Sequence, residues 1–309
     1  MNKSKKIKTV FFGTHDFAAV ILQGLIESPF VSIDLVVTQP DKPVGRKQEF
    51  KKSPVKILAE KYEIKIDQPA SLKNYELPIS DIELGVTAQY GLLIPKHILG
   101  TPKHGILNVH TSLLPKYRGA SPIQSALING ETETGVTIMK MDVGMDTGPI
   151  LLQKTLQIDP DDTYLDLDKK LAVIGSDALL EAIPDYTAGE LKPTEQDNSK
   201  ATLCKQFKRE DGKIDWTKTS EQIYNQYRGM TPWPGVWTTW GNKRLKLLKI
   251  KLNQKSIEPG KVCVENDTMY IGCAENAIEI IELQLEGKNS TDTKTFINGH
   301  KEMDGDMLI

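Results

Sequence analysis

The chain has 309 residues, of which 39% are hydrophobic and 26% charged, and carries a formal net charge of -2. That length suggests about two domains, and the composition is ordinary for a soluble globular protein. The nearly neutral charge gives no global sign of nucleic acid, so any RNA contact must rest on local basic patches.

No run approaches the ~18 apolar residues that a membrane helix needs, so no membrane association is expected. Met1 to Thr9 is lysine-rich, but no signal-type apolar stretch with a cleavage site follows it. Three cysteines, Cys204, Cys263 and Cys273, have no CxxC spacing. They fit a reducing cytoplasm and argue against a disulfide framework and against a zinc site.

In chain order, Lys8 to Phe12 reads as a buried strand, with a turn at Gly13 and a helix from about Asp16 to Glu27. Val31 to Thr38 is a second apolar run rich in β-branched residues, and Ser53 to Lys61 is helical, with Pro54 allowed in its first turn. Leu84 to Ala88 and Gly105 to His110 are further short strands. Strands alternating with helices predict a mostly parallel sheet of the α/β class, whose ligands sit outside the carboxyl ends of the strands. Gly13 does not open a full GxGxxG, so no dinucleotide site is read from it.

Ile174 to Gly189 reads as a helix closing this first domain, and the polar residues 190–206 suit a linker. A helix over Ser220 to Arg228 precedes short alternating stretches: Val236 to Trp240, Leu245 to Leu252, Lys261 to Val264, Met269 to Cys273 and Ala277 to Leu285. Strands at that spacing predict a small β-barrel. The tail from Gly299 has low apolar content and reads as loose. The expected division is 1–189, a linker over 190–206, and 207–309.

The most informative stretch runs from Asn108 to Gly119. If Ile106 to His110 is a strand, Asn108 and His110 point to the same face. An amide beside an imidazole suits acyl transfer, because the amide can donate to a developing oxyanion and the imidazole can move a proton. The alternative is a buried polar pair at a strand end. Ser112-Leu113-Leu114-Pro115 then forms a turn with little charge, followed by Lys116, Tyr117 and Arg118. Asp146, 36 residues after His110, lies in a glycine-punctuated acidic loop from Asp142 to Gly148. Such a loop permits a tight path that could aim the carboxylate at the imidazole.

On these residues the chain resembles the folate-dependent formyltransferase family. The likeness rests on Asn108 to Ile123 (NVHTSLLPKYRGASPI), Thr134 to Met141 (TGVTIMKM) and Asp142 to Gly148 (DVGMDTG). It extends through Phe11 to Thr14, Thr38 to Arg46, Ser53 to Lys56, Tyr90 to Pro95 and Pro232 to Gly235. The sequence departs from the family's usual pattern at His15, where proline is common, and at Thr111, where glycine or proline is common.

The resemblance implies a Rossmann-like, mostly parallel sheet formyltransferase domain followed by an OB-like β-barrel domain that binds tRNA. It implies transfer of a formyl group from 10-formyltetrahydrofolate to the free amino group of methionyl initiator tRNA, without a metal, by a monomer in the cytoplasm. Asn108, His110 and Asp146 are the expected catalytic residues. Ser112, Leu113, Leu114 and Pro115 are expected to contact folate. Tyr90 to Pro95 either lines the pterin pocket or packs Leu92 and Ile94 into the core. Lys42, Arg46 and Lys47, in a basic loop over Pro40 to Lys56 that reads as mobile, are expected to approach the tRNA acceptor end. Arg118 is left between a phosphate or folate-glutamate contact and a solvated cation.

A second basic stretch, with Lys243, Arg244, Lys246, Lys249, Lys251, Lys255 and Lys261, could grip RNA phosphates. Trp233, Trp237 and Trp240 read as packing residues. The competing functions are formyl transfer to an amino sugar nucleotide, hydrolysis of the formyl-folate, and RNA binding by a chain whose catalytic domain has decayed. The last is opposed by the presence of Asn108, His110 and Asp146.

Overall fold

A computed structural model describes residues 6–44 and 49–309. Arg46 and Lys47 fall outside the described residues. The chain forms two compact units. The first comprises residues up to Gly119 with Glu133–Gln157 and Asp168–Cys204; the second comprises Ala120–Thr132, Ile158–Leu167 and Lys205–Ile309.

In the first unit, β1 (Ile7–Gly13), α1 (Asp16–Glu27) and β2 (Val31–Val37) follow the predicted order. Phe17, Ala18, Ile21, Leu22 and Leu25 form the buried face of α1, at the spacing an amphipathic helix needs. The basic segment expected as a loop instead contains a short antiparallel pair, β3 (Lys42–Val44) and β4 (Glu49–Lys51), with Lys42 opposite Lys51. In α2 (Pro54–Lys61), Pro54 occupies the first turn, as expected, and the Ser53 hydroxyl caps the helix by accepting from the Lys56 amide at 3.1 Å.

Next come β5 (Ile66–Asp67), β6 (Leu84–Ala88), α3 (Lys96–Leu99), β7 (Ile106–His110) and β8 (Arg118–Gly119). They are followed by α4 (Pro122–Ile128), which belongs to the second unit, then β9 (Glu133–Lys140) and β10 (Ile150–Gln157). The helix expected from Ile174 begins earlier: α5 spans Tyr164–Ala188. Its first turns mix Leu167 and Leu171, both fully buried, with Asp166, Asp168, Lys169 and Lys170, and the charges hid the apolar stripe.

The main sheet has seven strands in the order β10-β9-β7-β6-β1-β2-β5. From β5 to β7 all pairings are parallel, whereas β9 pairs antiparallel with both β7 and β10. Leu84, Val86, Leu107 and Val109 are buried within it. Strand order reverses between β1 and β6, which opens the crevice where such sheets bind ligands. Gly85 lets β6 and β7 lie close, since a Cβ there would stand 2.6 Å from Ile106 Cγ1. The segment 190–206, expected as a linker, carries a 3-10 turn at Asn198–Lys200 and β11 (Leu203–Cys204), which pairs in parallel with β8.

In the second unit, α6 (Ser220–Met230) begins at a capping box formed by Thr219 and Gln222. The sheet order is β12-β13-β16-β15-β14, using β12 (Val236–Trp240), β13 (Lys243–Asn253), β14 (Val262–Glu265), β15 (Thr268–Gly272) and β16 (Ala277–Leu285), all antiparallel. β17 (Thr291–Asp292) pairs with β16 and leads into α7 (Thr293–Gly299). The core holds Leu245, Leu247, Ile271, Ile278, Ile280 and Leu283, and Lys246, Glu279 and Glu282 lie between these positions on β13 and β16.

The expected loose tail is ordered against this core. Met303 and Leu308 are buried, and Ile309 exchanges two backbone hydrogen bonds with Thr239, at 2.8 and 3.1 Å. Two well-placed apolar side chains outweigh a polar composition, because burying each contributes about 1.5–3 kcal/mol.

Candidate active site

β7 puts Asn108 and His110 on one face of the sheet, as strand periodicity requires. His110 is buried, at 6% exposure. Its Nε2 lies 3.0 Å from the carbonyl oxygen of Tyr117. A carbonyl only accepts, so Nε2 carries the hydrogen and the Nδ1 edge faces the rest of the site. Tyr117 has φ +59, a left-handed backbone that turns its carbonyl toward the imidazole.

The loop after β9 brings Asp146 to the same face. Its Oδ1 lies 3.7 Å from His110 Nδ1 and 3.5 Å from Asn108 Nδ2, while its Oδ2 accepts the Gly119 amide at 2.9 Å. The three residues read from the sequence thus meet in space. Asp146 itself sits at φ +52. Gly148 permits the return of the loop, because a Cβ there would collide with the Lys140 carbonyl.

The turn from Ser112 to Pro115 is held from within. Thr137 Oγ1 donates to the Ser112 carbonyl at 2.7 Å and accepts the Leu114 amide at 3.1 Å. Gln153 Nε2 donates to the Leu114 carbonyl at 2.9 Å, and the Ser112 hydroxyl donates to the Lys116 carbonyl at 2.6 Å. The Leu114–Pro115 peptide is cis. Ser112 and Leu114 face inward, while Leu113 and Pro115 are half-buried.

The crevice between β1 and β6 is lined by polar atoms. Thr14 Oγ1 and Gln39 Nε2 both donate to the Tyr90 carbonyl, at 2.9 and 2.7 Å, and Lys42 Nζ donates to Gln39 Oε1 at 2.7 Å. Lys42 therefore stands at the root of its hairpin, beside the crevice. Burial, and secondarily the Lys42 charge, lower the pKa of His15 nearby. Tyr90 and Ile94 join the core and Leu92 packs against it, while Leu93 is 86% exposed. Burial pushes the Tyr90 phenol up to about 12. It also raises Asp168, outweighing the hydrogen bond that Gln89 donates to it at 3.0 Å.

Sequence reasoning missed the support behind Asp146. Arg118, read as a surface or ligand-facing cation, is instead buried at 6% exposure. Its Nε and Nη2 donate to Gln196 Oε1 at 3.0 and 2.7 Å, and Nη2 also reaches Asn198 Oδ1 at 2.8 Å. No local signal marks Gln196, which lies in a polar stretch; the pairing of β8 with β11 and the bridge between Ile150 and Thr194 bring it to the site.

In the second unit, a cleft of about 220 Å³ is lined by Arg209, Arg244, Lys246, Gln284, Leu285, Glu286 and Gly287. The Arg244 guanidinium lies 4.3 Å over the Trp237 ring. Trp240 packs on Phe296, as expected for a packing residue, whereas Trp233 is 56% exposed.

The sequence matches the Formyl transferase family over residues 5–183 and the Formyl transferase C-terminal domain over residues 206–301. It is 43% identical to the methionyl-tRNA formyltransferase of Caldicellulosiruptor saccharolyticus, over 97% of this chain and 99% of that one. The fold resembles an N-formyltransferase from Helicobacter canadensis solved with folinic acid and dTDP-3-aminofucose, at TM-score 0.67 and 22% identity, covering 89% of this chain and 98% of that one. It also resembles methionyl-tRNA formyltransferase from Clostridium thermocellum, at TM-score 0.54 and 19% identity, covering 82% and 96%.

Proposed function

The chain belongs to the formyl transferase family, and on that footing we propose that it transfers a formyl group from 10-formyltetrahydrofolate to the amino group of methionyl initiator tRNA. The observation that carries the chemistry is the meeting of Asn108, His110 and Asp146 around one carboxylate oxygen, at 3.5 and 3.7 Å.

The neutral amine of the methionyl group attacks the formyl carbon, and charge collects on the formyl oxygen. Asn108 Nδ2 donates to that oxygen; losing one such donor costs about 10²–10³ in rate. The amine must lose a proton and the departing folate nitrogen must gain one before the carbon–nitrogen bond breaks. His110 carries that proton at Nδ1, since Nε2–H is held by the Tyr117 carbonyl. Asp146 orients the ring and balances the imidazolium formed in transit.

The folate ring system packs against the turn formed by Ser112, Leu113, Leu114 and Pro115 and against the Tyr90 loop. The internally bonded turn supports this role by presenting a fixed edge. Lys42, with Arg46 and Lys47, meets the acceptor end of the tRNA. The cleft around Arg244 and Lys246 takes RNA phosphate. In this reading residues 1–189 carry the chemistry and 207–309 hold RNA, while the joining segment 190–206 supports the site through Gln196. The protein acts as a monomer in the cytoplasm.

The test supplies purified protein with the formyl donor and with methionyl-tRNA or amino sugar nucleotides. Labelled formyl on methionyl-tRNA alone is the expected result. Label on a sugar nucleotide, or released as formate, overturns the assignment.

A further inference from the structure

We infer that Gln196 is a positioning residue that fixes the aim of Asp146 at Asn108 and His110. This rests on the catalytic reading of Asp146. Gln196 is 8% exposed, and its carboxamide is fully used. Nε2 donates to the carbonyl oxygens of Asp146 and Gly148, at 2.8 and 2.7 Å. Oε1 accepts twice from Arg118, at 3.0 and 2.7 Å. Two donors and two lone pairs are all that an amide offers.

These bonds close a ring. Arg118 grips Gln196, Gln196 grips the Asp146 carbonyl, and the Asp146 carboxylate takes the amide of Gly119, which is bonded to Arg118. Asp146 is thereby fixed through both its backbone and its side chain. Such fixing is needed, because a non-glycine residue at φ +52 persists only where its surroundings over-determine it. It also matters for rate. The carboxylate stands 3.5 and 3.7 Å from its two partners, and a displacement of about 1 Å costs up to about 10²-fold.

A glutamine that only fills space would tolerate an isosteric carboxylate beside Arg118. A positioning glutamine would not, because a carboxylate has no hydrogen for the two loop carbonyls. Gln196→Glu keeps the acceptor toward Arg118 and removes both donors. Gln196→Met keeps the approximate length without polarity and covers the case in which the buried carboxylate prevents folding. The expected result, in the full chain with methionyl-tRNA and 10-formyltetrahydrofolate, is a fall in kcat of about tenfold or more with both KM values within about twofold. Amide hydrogen exchange across residues 144–148 should accelerate.

In an Asp146→Ala background the same substitution should lower kcat by less than about twofold, since it acts through Asp146. Unchanged kcat, unchanged exchange in the loop, or the same loss in the Asp146→Ala background as in the parent overturns the inference. Normal kcat in Asp146→Ala alone overturns the catalytic reading instead, and is scored separately from the exchange result.

Discussion

Two segments of the first unit, the loop carrying Asp146 and the β3–β4 hairpin, are built in opposite ways. The loop carrying Asp146 is gripped near its tip. Its carboxylate accepts a backbone amide, and its carbonyls are held by a buried glutamine that is itself held by a buried arginine. The β3–β4 hairpin is fixed, among the described residues, at its root. There Lys56 Nζ meets Asp41 Oδ2 at 2.7 Å, Gln68 donates to Asp41 at 2.8 Å, and Lys42 donates to Gln39. Farther out, Phe50 is 75% exposed. A carboxylate that must face one imidazole needs its position set to a fraction of an ångström, whereas cations that meet a polyanion work through a longer-ranged field. On the proposed assignments, this difference in anchoring matches a difference in task.

The largest effect should come from the precisely held side. Asn108→Ala and His110→Ala should each lower kcat by about 10²–10⁴ while leaving the melting temperature near that of the parent. Near-normal turnover in both would remove the catalytic assignment. Arg118→Met should cost about 2–3 kcal/mol of stability, read from urea unfolding, by stranding Gln196 Oε1 without its donor. A loss below about 0.5 kcal/mol would mean that the ring of bonds has little energetic weight.

On the root-anchored side, replacing Lys42, Arg46 and Lys47 with alanine should raise KM for methionyl-tRNA about tenfold and flatten its salt dependence, with KM for folate unchanged. Equal changes in both constants would end the contrast between the two segments.

A smaller effect concerns Asp168. Burial raises its folded pKa above the unfolded value of 3.8, so its ionisation disfavours the folded state. The stability of the parent relative to Asp168→Asn should therefore fall as pH rises from below that value through the folded pKa. The two should converge in acid, and a difference independent of pH in urea midpoints would contradict this. The least effect is expected of Lys52→Ala. Its pair with Glu60, at 2.8 Å, is solvent-exposed, and its removal should leave the melting temperature within about a degree.

How much was legible from the sequence follows the range of the interactions involved. α1, β6, β12 and β16 lie where periodicity placed them, because local apolar spacing and strand length determine such elements. Asn108 and His110 were readable as one face because strand geometry fixes residues two apart. The helical start at Tyr164 was not readable because charges interrupt its apolar stripe, and the ordered tail because Met303 and Leu308 join a core whose other members lie far along the chain.

The sequence by itself determined an α/β unit, a following β-rich unit, and the residue types of the proposed acyl-transfer site. Only the tertiary structure decided that Asp146 reaches His110, that Arg118 turns inward and that Gln196 stands behind them. Those contacts join residues 27 to 80 positions apart. Their register is set by how strands pair, and no local pattern of residues encodes it.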